Sequence, residues 1–147
     1  DIAGVRSIGG APMSGPVRSL GAMTLPDNPT RAEIGARGEQ LAVDHLEALG
    51  MRILVRNWRC RYGELDVIAT DASGRTVVFV EVKTRTGDGF GGLAEAVTPD
   101  KVRRIRRLAA LWLAQQEHRF GALRIDVVGV RLQGSRTLEI SHLKGVG

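Results

Sequence analysis

The chain has 147 residues and a mass of 15.9 kDa, enough for one domain with a real hydrophobic core. Apolar residues at 43% and charged residues at 25% are an ordinary globular balance, and a lone cysteine, Cys60, excludes an internal disulfide framework or a cysteine-built metal site. Basic residues outnumber acids 21 to 16, which predicts an anionic partner; no apolar run approaches the ~18 residues of a membrane span, which predicts a soluble, cytoplasmic protein with no membrane partner.

Residues 1–29 hold four of the five prolines and carry no net charge, so all of the +5 sits in residues 30–147. Their apolar residues follow no period and bury no face, which predicts a flexible or disordered tail before one folded domain over 30–147. Residues 30–49 read as an amphipathic helix. Thr30 and Glu33 have the spacing of a capping box, Gly50 suits the C-terminal turn, and Ile34, Leu41, Ala42, His45, Leu46 and Leu49 share one face. Glu39 falls on the flank of that stripe, where it is expected to look along the surface.

Three strand-like runs follow, at Met51–Trp58, Glu64–Thr70 and Thr76–Thr84. The turn chemistry of Asp71-Ala72-Ser73-Gly74 predicts an antiparallel hairpin between the last two. Gly87–Gly92, containing Phe90, reads as a glycine-rich loop. Thr98-Pro99 opens a second helix whose buried stripe is Val102, Ile105, Leu108, Ala109 and Trp112. Leu123–Arg131 is a further strand, and Thr137–Ser141 a short edge strand. The order is α-β-β-β-α-β.

The hairpin carries the chemistry. Strand alternation puts Glu64, Asp66 and Ile68 on one face, and Val77, Phe79, Glu81, Lys83 and Arg85 on one face of the next strand. An even-numbered loop brings the two charged sets together, with Asp66 and Glu81 ~4.5–8 Å apart. Two such carboxylates suit one Mg²⁺ or Mn²⁺ ion, joined by the backbone carbonyl of Val82, and Lys83 follows ~7 Å along the strand. Charges alternating with valines usually mark a solvated sheet face. Against that, Val77–Val82 is nearly all apolar, as in a strand buried on both sides, where an unpaired charge is costly. The chain has 18 arginines and only three lysines, yet it keeps Lys83 in mid-strand.

At these residues the sequence resembles a known family. The segments ARGEQLAVDHLEALGMRILVRNWRCRYGELDVIA, VVFVEVKTR, FGGLAEAVTPDKVRRI and RIDVV are similar to the bacterial YraN-like proteins of the PD-(D/E)xK nuclease superfamily, over residues 31–132. The resemblance implies an α/β fold with an αβββαβ restriction-endonuclease-like core, its mixed central sheet flanked by helices. It implies Asp66 and Glu81 as metal ligands, Lys83 as the catalytic lysine, and Glu39 as an additional acid near the metal. Lys101 matches a position able to face the same site. Asp126 matches a recurring acid of the last core strand, for which a structural ion pair and a catalytic part are equally open.

Lys101, Arg103, Arg104, Arg106 and Arg107, offset by Asp100, concentrate +4 in eight residues of the second helix. With Arg85 they form the expected phosphate-binding surface. His45 reads as a partly buried histidine, His118 and His142 have no site spacing, and Cys60 reads as an ordinary thiol. The expected function is metal-dependent cleavage of DNA, including branched or junction DNA. The competing expectations are a catalytically silent nucleic-acid-binding protein and a protein-interaction domain whose charge reflects genome composition. A junction enzyme would be a homodimer, although no exposed apolar stripe demands one.

Overall fold

The first helix starts where its capping residues place it. Glu33 N–H donates to Thr30 Oγ1 at 3.0 Å and Thr30 N–H donates back to Glu33 Oε1 at 2.8 Å. These bonds head α1 (Arg31–Ala48) in the computed structural model, which describes residues 25–87, 93–134 and 136–147. Residues 1–24 of the predicted tail and most of the predicted glycine loop, with Phe90, lie outside the described residues; Leu25 packs against the core.

After α1 the chain forms an antiparallel meander of β1 (Arg52–Cys60), β2 (Gly63–Thr70) and β3 (Thr76–Thr86). A short 3-10 turn at Leu93–Ala96 precedes α2 (Pro99–Ala114), where the N-cap Thr98 Oγ1 accepts Lys101 N–H at 3.1 Å. The helix carries the chain back so that β4 (Ala122–Gln133) lies parallel to β3, and β5 (Arg136–Leu143) closes the far edge antiparallel to β4. The five strands lie in chain order. This is the expected αβββαβ core with a mixed sheet, extended by a fifth strand longer than its sequence pattern indicates.

The central strands are apolar on both faces because each face is covered. Val78 and Val80 of β3 pack with Leu41, Ala42 and Leu46 of α1 and with Val128 and Val130 of β4. Val77 and Phe79 pack on the other side with Ile105, Leu108 and Trp112 of α2. At ~25 cal/mol per Å² of apolar burial, these two layers supply the main driving force for folding. On α1 the stripe is shifted from expectation: Val43 is buried and Leu49 exposed. Leu49 already caps the helix, and Gly50 at φ +90 turns the chain away from the core.

One contact sets how closely α1 approaches the sheet. A Cβ on Gly38 would lie 1.9 Å from Thr84 Oγ1 and 2.8 Å from Thr84 Cβ. Only glycine lets the helix cross β3 at this depth, and the next residue on that helix is Glu39.

Candidate active site

The β2–β3 ladder runs from Thr70↔Val77 to Val67↔Val80 and ends there. The same register would next set Asp66 opposite Glu81 and Leu65 opposite Val82. The strands instead fork, and Asp66 Oδ2 accepts the Val82 N–H at 2.8 Å, taking over a bond the ladder would have used. Because the N–H and C=O of a strand residue leave on the same side, the Val82 carbonyl is directed toward the fork as well.

The fork coincides with an irregularity in β1. Asn57 lies between the pairs Arg56↔Val67 and Trp58↔Leu65, in line with Asp66, and takes a left-handed φ of +54. Asparagine tolerates that region better than most residues. Side-chain alternation breaks here: Ile68 joins the α2-side core, Val67 the α1-side core, and Leu65 the α2-side core again. The kink re-aims Asp66 into a cleft under α1, so Glu64, Asp66 and Ile68 do not share one face as simple alternation predicts.

That cleft has a volume of about 1120 Å³. Glu39 enters it from α1, Asn57 from β1, Asp66 from β2, and Val82, Lys83 and Arg85 from β3. The consecutive β3 residues form one wall because the strand edge beyond Val80 has lost its β2 partner. Glu39 is more enclosed than its helical position predicts, with a side chain only 14% exposed. Asn57 Nδ2 donates to its Oε1 at 3.2 Å, while Oε2 is buried without a hydrogen-bond partner.

Burial pushes the Asp66 carboxyl up to about 6, and the charges of Glu81, Glu39 and Glu64 push in the same direction against the Val82 N–H bond. Acids displaced by desolvation and converging carboxylates in a cleft are enriched at functional positions. Glu81 thus lies close enough to act on Asp66, but its own Oε2 is bound at 3.2 Å by Lys101 Nζ, reaching from the first turn of α2. The structure therefore gathers Glu39, Asp66 and Lys83 along one cleft and joins Lys101 to Glu81.

The donor set suits a hard cation. Among the described residues no three His, Cys, Asp or Glu side chains form a ready metal cage. Magnesium, however, commonly binds through one or two carboxylates and keeps its waters. The excess negative charge felt by Asp66 and the orphaned Glu39 Oε2 are both relieved by a cation, so Asp66, Glu81 and the Val82 carbonyl fit one.

The basic helix is not uniform. Arg103 pairs with Asp100, and Arg106 donates to the Gly147 carbonyl at 2.8 Å on the side of the C-terminal segment. Arg104 and Arg107 are exposed toward the other flank, and Arg85 lines the cleft itself.

A buried polar network at the opposite end of the α1 layer is the feature that sequence spacing missed. Arg124 donates to both oxygens of Asp126 at 2.9 and 3.0 Å, Gly145 N–H donates at 3.0 Å, and His142 Nε2 lies 2.8 Å from Asp126 Oδ2. His142 Nδ1 lies 3.0 Å from His45 Nε2. Asp126 and His142 are fully buried. Burial alone would raise the Asp126 carboxyl, but the bonds from His142, Arg124 and Gly145 hold it below the usual carboxylate range. Asp126 is thus a structural anchor for β5 and the C-terminal segment. The Arg-x-Asp alternation on β4 was its one visible signal; the pairing to His142 needs the β4–β5 register.

A mixed sheet with a helix on each face and a carboxylate-lined fork beside its central strand defines a restriction-endonuclease-like α/β protein. The chain belongs to the uncharacterised protein family UPF0102, the YraN-like group, whose profile matches residues 38–130. It is 72% identical over 118 residues to a UPF0102 protein of Mycolicibacterium smegmatis, covering 80% of this chain and 95% of that one. It is 65% identical over 128 residues to a UPF0102 protein of Mycobacterium avium, covering 87% of this chain and all of the other. A UPF0102 protein of Mycobacterium tuberculosis is 66% identical over 128 residues, covering 85% of this chain and all of that one. Among the described residues no helix is long and apolar enough to cross a membrane.

Proposed function

We propose that this protein is a metal-dependent nuclease that hydrolyses phosphodiester bonds in DNA, with branched or junction DNA included among its substrates. The observation that carries this reading is the fork: Asp66, displaced to about 6 by burial and by three surrounding carboxylates, opens onto a cleft that also holds Lys83. Asp66, Glu81 and the Val82 carbonyl would hold Mg²⁺ or Mn²⁺. When bound, such an ion supplies positive charge against the pentavalent transition state and lowers the pKa of a water. Lys83, which lines the cleft, would supply an ammonium to orient that water or bind a phosphate oxygen. Glu39, held by Asn57, adds a second carboxylate whose charge acts on Asp66. Arg85 lines the cleft and adds positive charge there for the DNA backbone, and the exposed arginines of α2 add charge beyond it.

Lys101 supports a second reading. Its ammonium already neutralises Glu81, as a nucleic-acid-binding protein without catalysis would require of a retained acid. The two readings separate on incubation with linear, single-stranded and four-way-junction DNA in Mg²⁺ or Mn²⁺. Cleavage by the wild type that falls at least ~100-fold in Asp66→Ala and Lys83→Ala is the expected result. Salt-sensitive binding with no cleavage selects the second reading, and cleavage unchanged in both variants refutes the assigned roles.

A further inference from the structure

We infer that the tip of the β1–β2 hairpin, Arg61–Tyr62, is a base-stacking element that gives this protein preference for DNA with an unpaired segment beside the cleft. The inference rests on the nuclease reading for its location but on separate residues for its chemistry. Tyr62, the single tyrosine, is 55% exposed, whereas Phe79 and Trp112 are buried and Trp58 and Phe120 are partly so. A half-exposed ring keeps a flat apolar surface that a base can meet.

The tip is held in place before any partner arrives. Cys60 pairs with Gly63, which leaves Arg61 and Tyr62 as the two-residue turn. Tyr62 N–H donates to Cys60 Sγ at 3.4 Å, and the Arg61 guanidinium sits 5.1 Å from the Tyr62 ring centroid. Gly63 takes φ +142, and a Cβ there would lie 3.4 Å from Leu108 Cδ1, so the hairpin rests on the middle of α2. Arg104, exposed on α2, lies one helical turn before Leu108, the residue that the hairpin touches. A ring with an arginine against it and another arginine nearby is the composition of a single-strand stacking platform, in which bases stack and guanidiniums take phosphates.

The tip also continues the cleft. Arg59 and Glu64 both line it, are directly paired, and form an ion pair at 2.9 Å. Two residues beyond Arg59, ~7 Å along the strand, the chain reaches the turn. A strand whose phosphate lies at Asp66 and Lys83 and that leaves the cleft over the Arg59–Glu64 pair would reach Tyr62. Uninterrupted duplex keeps its bases stacked on one another and offers this ring nothing, whereas a frayed end, flap or branch point offers a free base face.

Binding measured by fluorescence anisotropy without divalent cations tests this apart from catalysis. The probes are a single-stranded DNA of about 12 nucleotides and a duplex of the same length. Tyr62→Ala is expected to weaken single-strand binding about tenfold, leave duplex binding within about twofold, and keep the wild-type far-UV spectrum and thermal midpoint; Tyr62→Phe, which stacks without the hydroxyl, is expected to restore affinity. Unchanged single-strand affinity in Tyr62→Ala, equal losses on both probes, or no single-strand binding by the wild type each overturns the inference. Tyr62-dependent binding by a protein that cleaves nothing upholds it and overturns the nuclease reading alone.

Discussion

Lys101 and His45 show how single contacts set the state of buried charge. In Lys101→Met the Glu81 carboxylate loses the ammonium 3.2 Å away and stays half-buried without its partner. In metal-free buffer that variant is expected to lose on the order of 1 kcal/mol of stability, seen as a lower thermal midpoint. Mg²⁺ should bind it several-fold more tightly, because the cation no longer displaces Lys101; calorimetric titration of wild type and variant checks this. His45 works in the other direction. Burial lowers it to about 4, helped by the neighbouring His142 ring and by the positive charge of Lys144. A neutral His45 donating Nε2–H to His142 Nδ1, with His142 Nε2–H donating to Asp126, satisfies the whole chain of bonds. The unfolded chain takes up a proton below about pH 6.5 while the native state resists until about pH 4, so stability present above pH 6.5 is lost between those values. The loss from this group is on the order of 1–3 kcal/mol. His45→Gln keeps a donor and cannot titrate, so urea unfolding over that range should show a flatter acid-side decline.

Elements matter here through how closely they approach and where they stop pairing. The crossing of α1 over β3 depends on Gly38, where the site for a methyl group is already filled by Thr84. Gly38→Ala is expected to cost about 1–3 kcal/mol despite alanine's better helix propensity, because the helix must lift or Thr84 must move. The double variant with Thr84→Ala should recover part of that loss, and a double-mutant cycle on denaturant midpoints measures how much. Lifting α1 also draws Glu39 away from Asn57, so any cleavage activity should fall further than stability alone explains. The fork follows the same logic: β3 keeps its full ladder with β4 as far as Thr86↔Leu132 while β2 turns off after Val67, so one central strand is covered on one edge and open on the other. An open edge inside a protein normally invites another strand; here Asp66 blocks it by taking the Val82 N–H.

For the whole molecule the decisive quantity is the placement of charge. The net +5 is modest, but Arg85 lines the cleft and Arg104 and Arg107 are exposed on α2. Under the proposed DNA binding, contacts of these arginines with phosphates would displace counterions, so DNA affinity should fall steeply between about 50 and 200 mM salt. Replacing Arg104 and Arg107 together by alanine is expected to reduce the slope of log affinity against log salt by about 2, with the thermal midpoint unchanged. Arg106 is already committed to the Gly147 carbonyl, so Arg106→Ala should alter that slope less than either.

Much of this protein is local enough to be read from one sequence. The capping box at Thr30, Thr98-Pro99 at the second helix and the Asp71–Gly74 turn act over three or four residues, and the doubly apolar run of β3 announces a central strand. Asp66 and Lys83, too, stand out by residue type and spacing. Tertiary structure decided the rest, because each remaining feature pairs residues far apart in the chain. Alternation places Asp66 beside Ile68, and only the kink set by Asn57 turns it under α1 toward Glu39. Glu81 looks free to join it, and only the packing of α2 shows Lys101 already there. His142 carries no signal in its neighbours, since its bonds to Asp126 and His45 exist only after β5 pairs with β4 and α1 covers both. Local sequence determines which elements form, whereas burial and register determine which charged groups meet, and the energy of a charge depends on what it meets.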